Sequence, residues 1–155
     1  MDEAAYRQSS TLTNPAPCVF ARAILARCVQ CELAEKHALA ERELIACTRP
    51  TARINCATLA ALLYERATFA LRLPRPGEAL PHAKVMKLHC GGLLALQQIL
   101  AAPVAAVHRL IAQRHAQDAS LADLPWDKIV AGIAQWQPLR RPRPAPAQNK
   151  QCPMP

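Results

Sequence analysis

The sequence predicts an all-α fold: a small helical bundle of about five helices with a disordered Pro/Arg-rich C-terminal tail. Three observations carry that prediction. Apolar residues make up 52 % of the 155, yet only two Trp, two Tyr and two Phe are among them, and Ala and Leu dominate. Ala, Leu, Glu, Arg and Gln lose little on entering a helix. Only four glycines are present and β-branched runs are absent, so the turn and strand chemistry of a sandwich or barrel is missing.

Taken in order, residues 1–14 lack periodicity and are expected to be flexible. A first helix opens near Asn14 or Pro17 and runs to about Ala46, with Phe20, Ile24, Cys28, Cys31, Ala38 and Ile45 as its apolar stripe. Thr48-Arg49-Pro50 ends it. A second helix is capped by Asn55 and runs to Leu73, placing Leu59, Leu62, Leu63, Phe69 and Leu73 inward; Pro74 to Gly77 stops it. A third spans His82 to Leu100, with Gly91-Gly92 inside it, a pair that weakens the helix or admits another backbone closely. After Pro103 a fourth carries Val107, Leu110 and Ile111. The last starts at Asp123 to Pro125 and shows Trp126, Ile129, Val130, Ile133 and Trp136 on one face. Residues 1–137 thus read as one helical domain of ordinary size. From Pro138 onward six prolines in eighteen residues and no periodicity predict a disordered tail, 138–155.

The chain carries a net charge of +8, unevenly spread. Between Arg49 and Arg114 nine Lys/Arg face only Glu65 and Glu78, and the tail adds Arg140, Arg141, Arg143 and Lys150 with no acid. Such a distribution suits an anionic partner, nucleic acid through residues 49–114 or an acidic protein surface. Residues 1–17 show no secretion signal and no run is long enough for a membrane span, so a cytoplasmic protein without membrane contact is expected.

Seven cysteines in a chain of that compartment point to metal or redox chemistry rather than a disulfide framework. Five fall between residues 18 and 56, spaced C-x9-C-x2-C-x15-C-x8-C: Cys18, Cys28, Cys31, Cys47 and Cys56. A CxxC step puts two sulfurs about one turn apart on a helix face, within reach of one metal or cluster. Cys18 and Cys56 are expected in the first turns of their helices, where the dipole favours a thiolate. Arg22, Arg27, Arg49 and Arg53 would offset the charge of a four-thiolate site. An unbroken helix would hold Cys28 and Cys47 roughly 28 Å apart at about 1.5 Å per residue. A single site therefore requires the first helix to break, or Cys18 to fold back as coil; otherwise Cys47 meets Cys56 at the turn while Cys28 and Cys31 meet Cys90 or a histidine.

Free cysteine also packs as a small hydrophobe, and Cys28, Cys31 and Cys90 fall where core residues belong. Five within 39 residues favour a cofactor, an iron–sulfur cluster ahead of zinc, because zinc sites prefer paired C-x2-C units. Cys90 is a further candidate ligand, beside the Gly91-Gly92 pair, though packing suits it better; His37, His108 and His115 read as exposed helix residues. Residues 18–56 bear a loose likeness to small helical iron–sulfur modules with widely spaced cysteines. There is no Gly-rich phosphate loop, GxSxG, HExxH or CxxCH, so no catalytic constellation is expected. The leading expectation is a cysteine-ligated cluster protein in electron transfer, cluster handling or redox sensing, working with a protein redox or regulatory partner. The alternatives are a basic nucleic-acid-binding regulator, poorly served by so few aromatic residues, and a cofactor-free helical adaptor.

Overall fold

A computed structural model describes residues 2–139. Along the chain these form α1 (Glu3–Thr13), α2 (Ala21–Leu25), β1 (Ala34–Leu39), β2 (Arg42–Cys47), α3 (Pro50–Leu71), α4 (His82–Met86), a π turn (Lys87–Gly91), α5 (Gly92–Ile99), α6 (Val107–Ala116), a 3-10 turn (Leu121–Asp123) and α7 (Trp126–Gln135). None of these helices is long and apolar enough to cross a membrane. The expected tail lies, from residue 140 on, outside the described residues.

The all-α expectation is overturned: the fold mixes α-helix with an antiparallel β-hairpin, and the hairpin sits where one helix to Ala46 was expected. The helix begun at Ala21 stops after five residues. Arg27 takes a left-handed φ of 60°, its N–H bonds to Ile24 O at 2.9 Å, and Cys28 N–H bonds to Ala23 O at 3.1 Å. These bonds satisfy the last carbonyls of α2 and turn the chain away, the ending usually built on glycine. β1 then pairs with β2 from Ala34↔Cys47 to Leu39↔Arg42 around the two-residue turn Ala40-Glu41, with Ala40 at a φ of 54°. No Gly or Asn marks that turn, and Ala, Glu, Lys and Leu in the strands are helix formers, so local propensity points the other way. Long-range pairing decides the outcome. Segment 16–18 lies along the free edge of β2, Cys18 N–H bonding to Ile45 O at 2.8 Å and Cys47 N–H to Ala16 O at 2.9 Å, while Ile45 is 2 % exposed.

At the N-terminus, where flexible chain was expected, Asp2 caps α1 by accepting the Ala4 N–H. The helices after the hairpin follow the sequence reading closely. Leu59, Leu63 and Ala67 of α3, Leu88 of the π turn, Leu93 and Leu96 of α5, Val107 and Leu110 of α6, and Ile129 and Ile133 of α7 form one buried core. Phe69 is the exception: expected inward, it is 95 % exposed, and Ala67 and Leu71 take the buried positions. α3 begins at Pro50 rather than Asn55, with proline at the first helical position, where its missing N–H costs nothing.

Gly91 and Gly92 admit neighbours on two sides. A Cβ on Gly91 would stand 2.9 Å from Ile133 Cα and 2.9 Å from Trp136 Cβ, and one on Gly92 would stand 2.5 Å from Leu63 Cδ2. Gly91→Ala should therefore destabilise by about 1–3 kcal/mol, because α7's backbone has to move. Gly92→Ala should cost less, since the Leu63 side-chain end can rotate away and alanine favours the helix. Urea unfolding of both variants checks the order; equal stabilities would show that α7 yields freely.

Candidate metal centre

Four of the five cysteines singled out by their spacing converge. Cys18, Cys31, Cys47 and Cys56 line one small cavity of about 20 Å³, and each comes from a different piece of structure. Cys18 sits on the segment paired with β2, not in a helix turn as expected. Cys31 ends the loop before β1, its carbonyl accepting the Ala34 N–H at 3.2 Å. Cys47 ends β2, and its thiol donates to Arg49 O at 3.3 Å. Cys56 lies within α3, beyond its first turn. The hairpin resolves the distance problem of a straight helix: by doubling back, it returns Cys47 to the level of Ala34, three residues after Cys31.

Cross-links hold these pieces in register. Arg53 Nε–H of α3 donates to Pro17 O at 2.9 Å, and the Thr48 hydroxyl to Leu33 O at 2.9 Å. Gln30 pairs with the chain entering α6, its N–H bonding to Ala105 O at 3.0 Å and its carbonyl accepting the Val107 N–H at 2.9 Å. That pairing carries Val107 and His108 to the cavity, whose other walls include Phe20, Ile24, Leu33 and Ala52. Arg53 and His108 are the basic side chains on its wall, and no carboxylate lines it.

The environment acts on the thiols. Burial pushes the Cys18 thiol up; the Phe20 backbone N–H on its sulfur pulls it down, Cys31 and Cys47 raise it, and Arg53 lowers it. Cys56 is pushed up to about 12, by burial first and then by Cys18, Cys31 and Cys47. In the metal-free chain desolvation thus outweighs any helix dipole, and Cys56 is a neutral thiol. The donor set suits a soft, thiophilic centre: four sulfurs, apolar walls, the Arg53 guanidinium and a backbone N–H to sulfur, the contacts that tune such centres. Among the described residues no three of His, Cys, Asp or Glu form a group that could hold a metal ion.

Cys28 does not line this cavity. The CxxC step straddles two cavities: Cys31 lines both, whereas Cys28 lines only the neighbouring open groove; burial first, and then Cys28, push the buried Cys90 thiol up. His108, read as an exposed helix residue, is a cavity wall; no sequence signal marked it, because the Gln30 pairing that brings it there spans more than seventy residues. His89 stacks edge-on against Phe20 with ring centroids 4.9 Å apart, and its buried Nδ1 has no hydrogen-bond partner. No known family model, curated protein or solved structure matches the chain.

Two pH responses follow. His89 is pushed down to about 4, by burial and then by Arg22. A base depressed on folding contributes stability that is full above its ordinary value of 6.5 and is lost as pH falls through about 4. His89→Phe should flatten that acid limb in thermal melts; an unchanged limb would place the acid sensitivity elsewhere. Cys56 behaves oppositely. Its contribution is full below pH 9 and is lost as pH rises toward about 12, so the metal-free protein should weaken over that alkaline range, and Cys56→Ser should remove part of the loss.

Proposed function

We propose that this protein binds one iron–sulfur cluster through Cys18, Cys31, Cys47 and Cys56, and acts in electron transfer or redox sensing with a protein partner. The observation that carries the reading is the convergence of four thiols, drawn from four separate elements, on one largely apolar cavity. Four thiolates are the usual ligand set of such clusters. The cluster would supply the one-electron chemistry, and the chain contributes the rest. Phe20 N–H steadies the Cys18 sulfur, Arg53 supplies positive charge, and Phe20, Ile24 and Val107 limit water. A zinc tetrathiolate, drawing the same four sulfurs onto one ion at about 2.3 Å each, is the alternative occupant. A cluster gives each thiolate its own iron and takes sulfurs that stand further apart. The six described cysteines are free thiols, in keeping with a reducing, cytoplasmic compartment.

Protein purified without oxygen should be brown and carry iron and acid-labile sulfide. Single Ser substitutions at Cys31, Cys47 or Cys56 should abolish or sharply reduce both, whereas Cys28→Ser should retain them. Zinc alone, no metal, or equal iron loss from Cys28→Ser would reject this ligand assignment.

A further inference from the structure

Of the four converging cysteines, Cys31 alone stands between two cavities. With Ile24 and Ala34 it lines both the small cavity where the thiols meet and a larger, open groove of about 530 Å³. Cys18, Cys47 and Cys56 do not reach that groove. Solvent, or a partner, therefore approaches the four-thiol site from this side by way of Cys31. Several elements build the groove. The left-handed Arg27 turns the chain off the end of α2, β1 brings Lys36, and Leu94 of α5 with Val104 gives an apolar floor. Val104 is 39 % exposed, an apolar side chain with nothing over it. The charged side chains of the groove are Arg27 and Lys36, both exposed, and no carboxylate lines it. The nearest acids in the sequence are engaged elsewhere. Glu32 meets Arg109 at 2.6 Å, and Glu35, on the opposite face of β1 from Lys36, stands 3.9 Å from His37 Nε2.

We propose that an acidic segment of the redox partner docks in this groove, an apolar side chain among its carboxylates, and that electrons cross by way of Cys31. The electron route rests on the cluster reading; the docking chemistry is tested apart from it. Carboxylates of the partner pair with Arg27 and Lys36, and its apolar side chain covers Ile24, Leu94 and Val104. One electron crosses per encounter, the partner gaining what the bound centre loses, with no covalent bond made or broken. Charge complementarity of this kind speeds encounter more than it tightens binding, and salt screens it. That suits a partner which has to leave after each transfer. Nucleic acid fits the same charges less well. Two cations neutralise few phosphates, and no aromatic side chain lines the groove for a base to stack on.

Cys28, half-buried in the groove and outside the ligand set, reports on the occupant. The full chain, metal-free and loaded, is treated with iodoacetamide at low ionic strength, with and without poly-L-glutamate, and Cys28 alkylation is followed by peptide mass mapping. Poly-L-glutamate should protect Cys28, poly-L-lysine should not, and added salt should reverse the protection. Arg27→Gln and Lys36→Gln should each weaken it about twofold to fivefold, the scale of an exposed charge pair. Arg75→Gln, an equal loss of charge outside the groove, should leave it intact. In the loaded, reduced protein the same two groove substitutions should slow oxidation by anionic tris(oxalato)cobaltate(III) by a similar factor, and should not slow oxidation by cationic hexaamminecobalt(III). Cys28 left open by poly-L-glutamate, or protected better by a DNA oligonucleotide, would overturn the docking proposal. Oxidation rates indifferent to Arg27 and Lys36 would overturn the route through Cys31. A chain that loads no iron would reject the cluster reading and the electron route with it, while Cys28 protection in the metal-free chain still decides the docking site.

Discussion

Two backbone hydrogen bonds organise the cysteine-bearing half of this molecule. By pairing Cys18 N–H with Ile45 O and Cys47 N–H with Ala16 O, the chain sets one cysteine beside another that is twenty-nine positions away in sequence. The same pairing occupies the outer edge of β2, which would otherwise offer unpaired groups to other chains. The buried Asn14 side chain reinforces it, donating to Ile45 O at 3.0 Å. With β2 held between segment 16–18 and β1, the position of Cys31 follows from the hairpin register. Only Cys56 has to be supplied by a helix, and the Arg53 bond to Pro17 O seats that helix.

Behind this small sheet stands a helical scaffold with little freedom to shift. α7 approaches the π turn and α5 closely enough that a methyl group at Gly91 would meet backbone. Tight packing of that kind fixes where the π turn lies, and the π turn positions Cys90. Through Gln30 the start of α6 is tied to the loop between Cys28 and Cys31. The C-terminal helices thus serve as the rear wall of the cysteine region and are not a separate unit.

Much of this was legible in the sequence and some was not. The 3.6-residue periodicities of α3 and α7 placed most of their buried residues, Leu59, Leu63, Ile129 and Ile133 among them, because those helices pack one apolar side against a core. Proline and glycine marked their ends. The hairpin was hidden because its strands are written in helix-forming residues and its turn lacks glycine or asparagine. The stripe Phe20, Ile24, Cys28, Cys31 holds helical spacing by coincidence, since α2 ends at Leu25. Its cysteines face different partners. The sequence did state the condition for a single site, a break in the first helix, and that break occurs at Arg27. What it could not supply was the partner of each cysteine, because every pairing is made across the fold rather than along one element.

A hairpin that returns the chain to its starting level has a consequence for how this kind of site would be recognised elsewhere. Ala34 stays opposite Cys47 however far the ribbon extends beyond them. Adding or removing one residue of each strand at the turn end leaves every side chain between there and Ala34 and Cys47 on its own face. The interval between Cys31 and Cys47 is therefore free to change in steps of two while the sulfurs stay where they are. The interval between Cys18 and Cys47 is free in a similar way, being set by strand neighbours rather than by intervening length. A search for fixed cysteine spacing would pass over proteins built on the same plan; the lasting signature is which residues stand opposite one another.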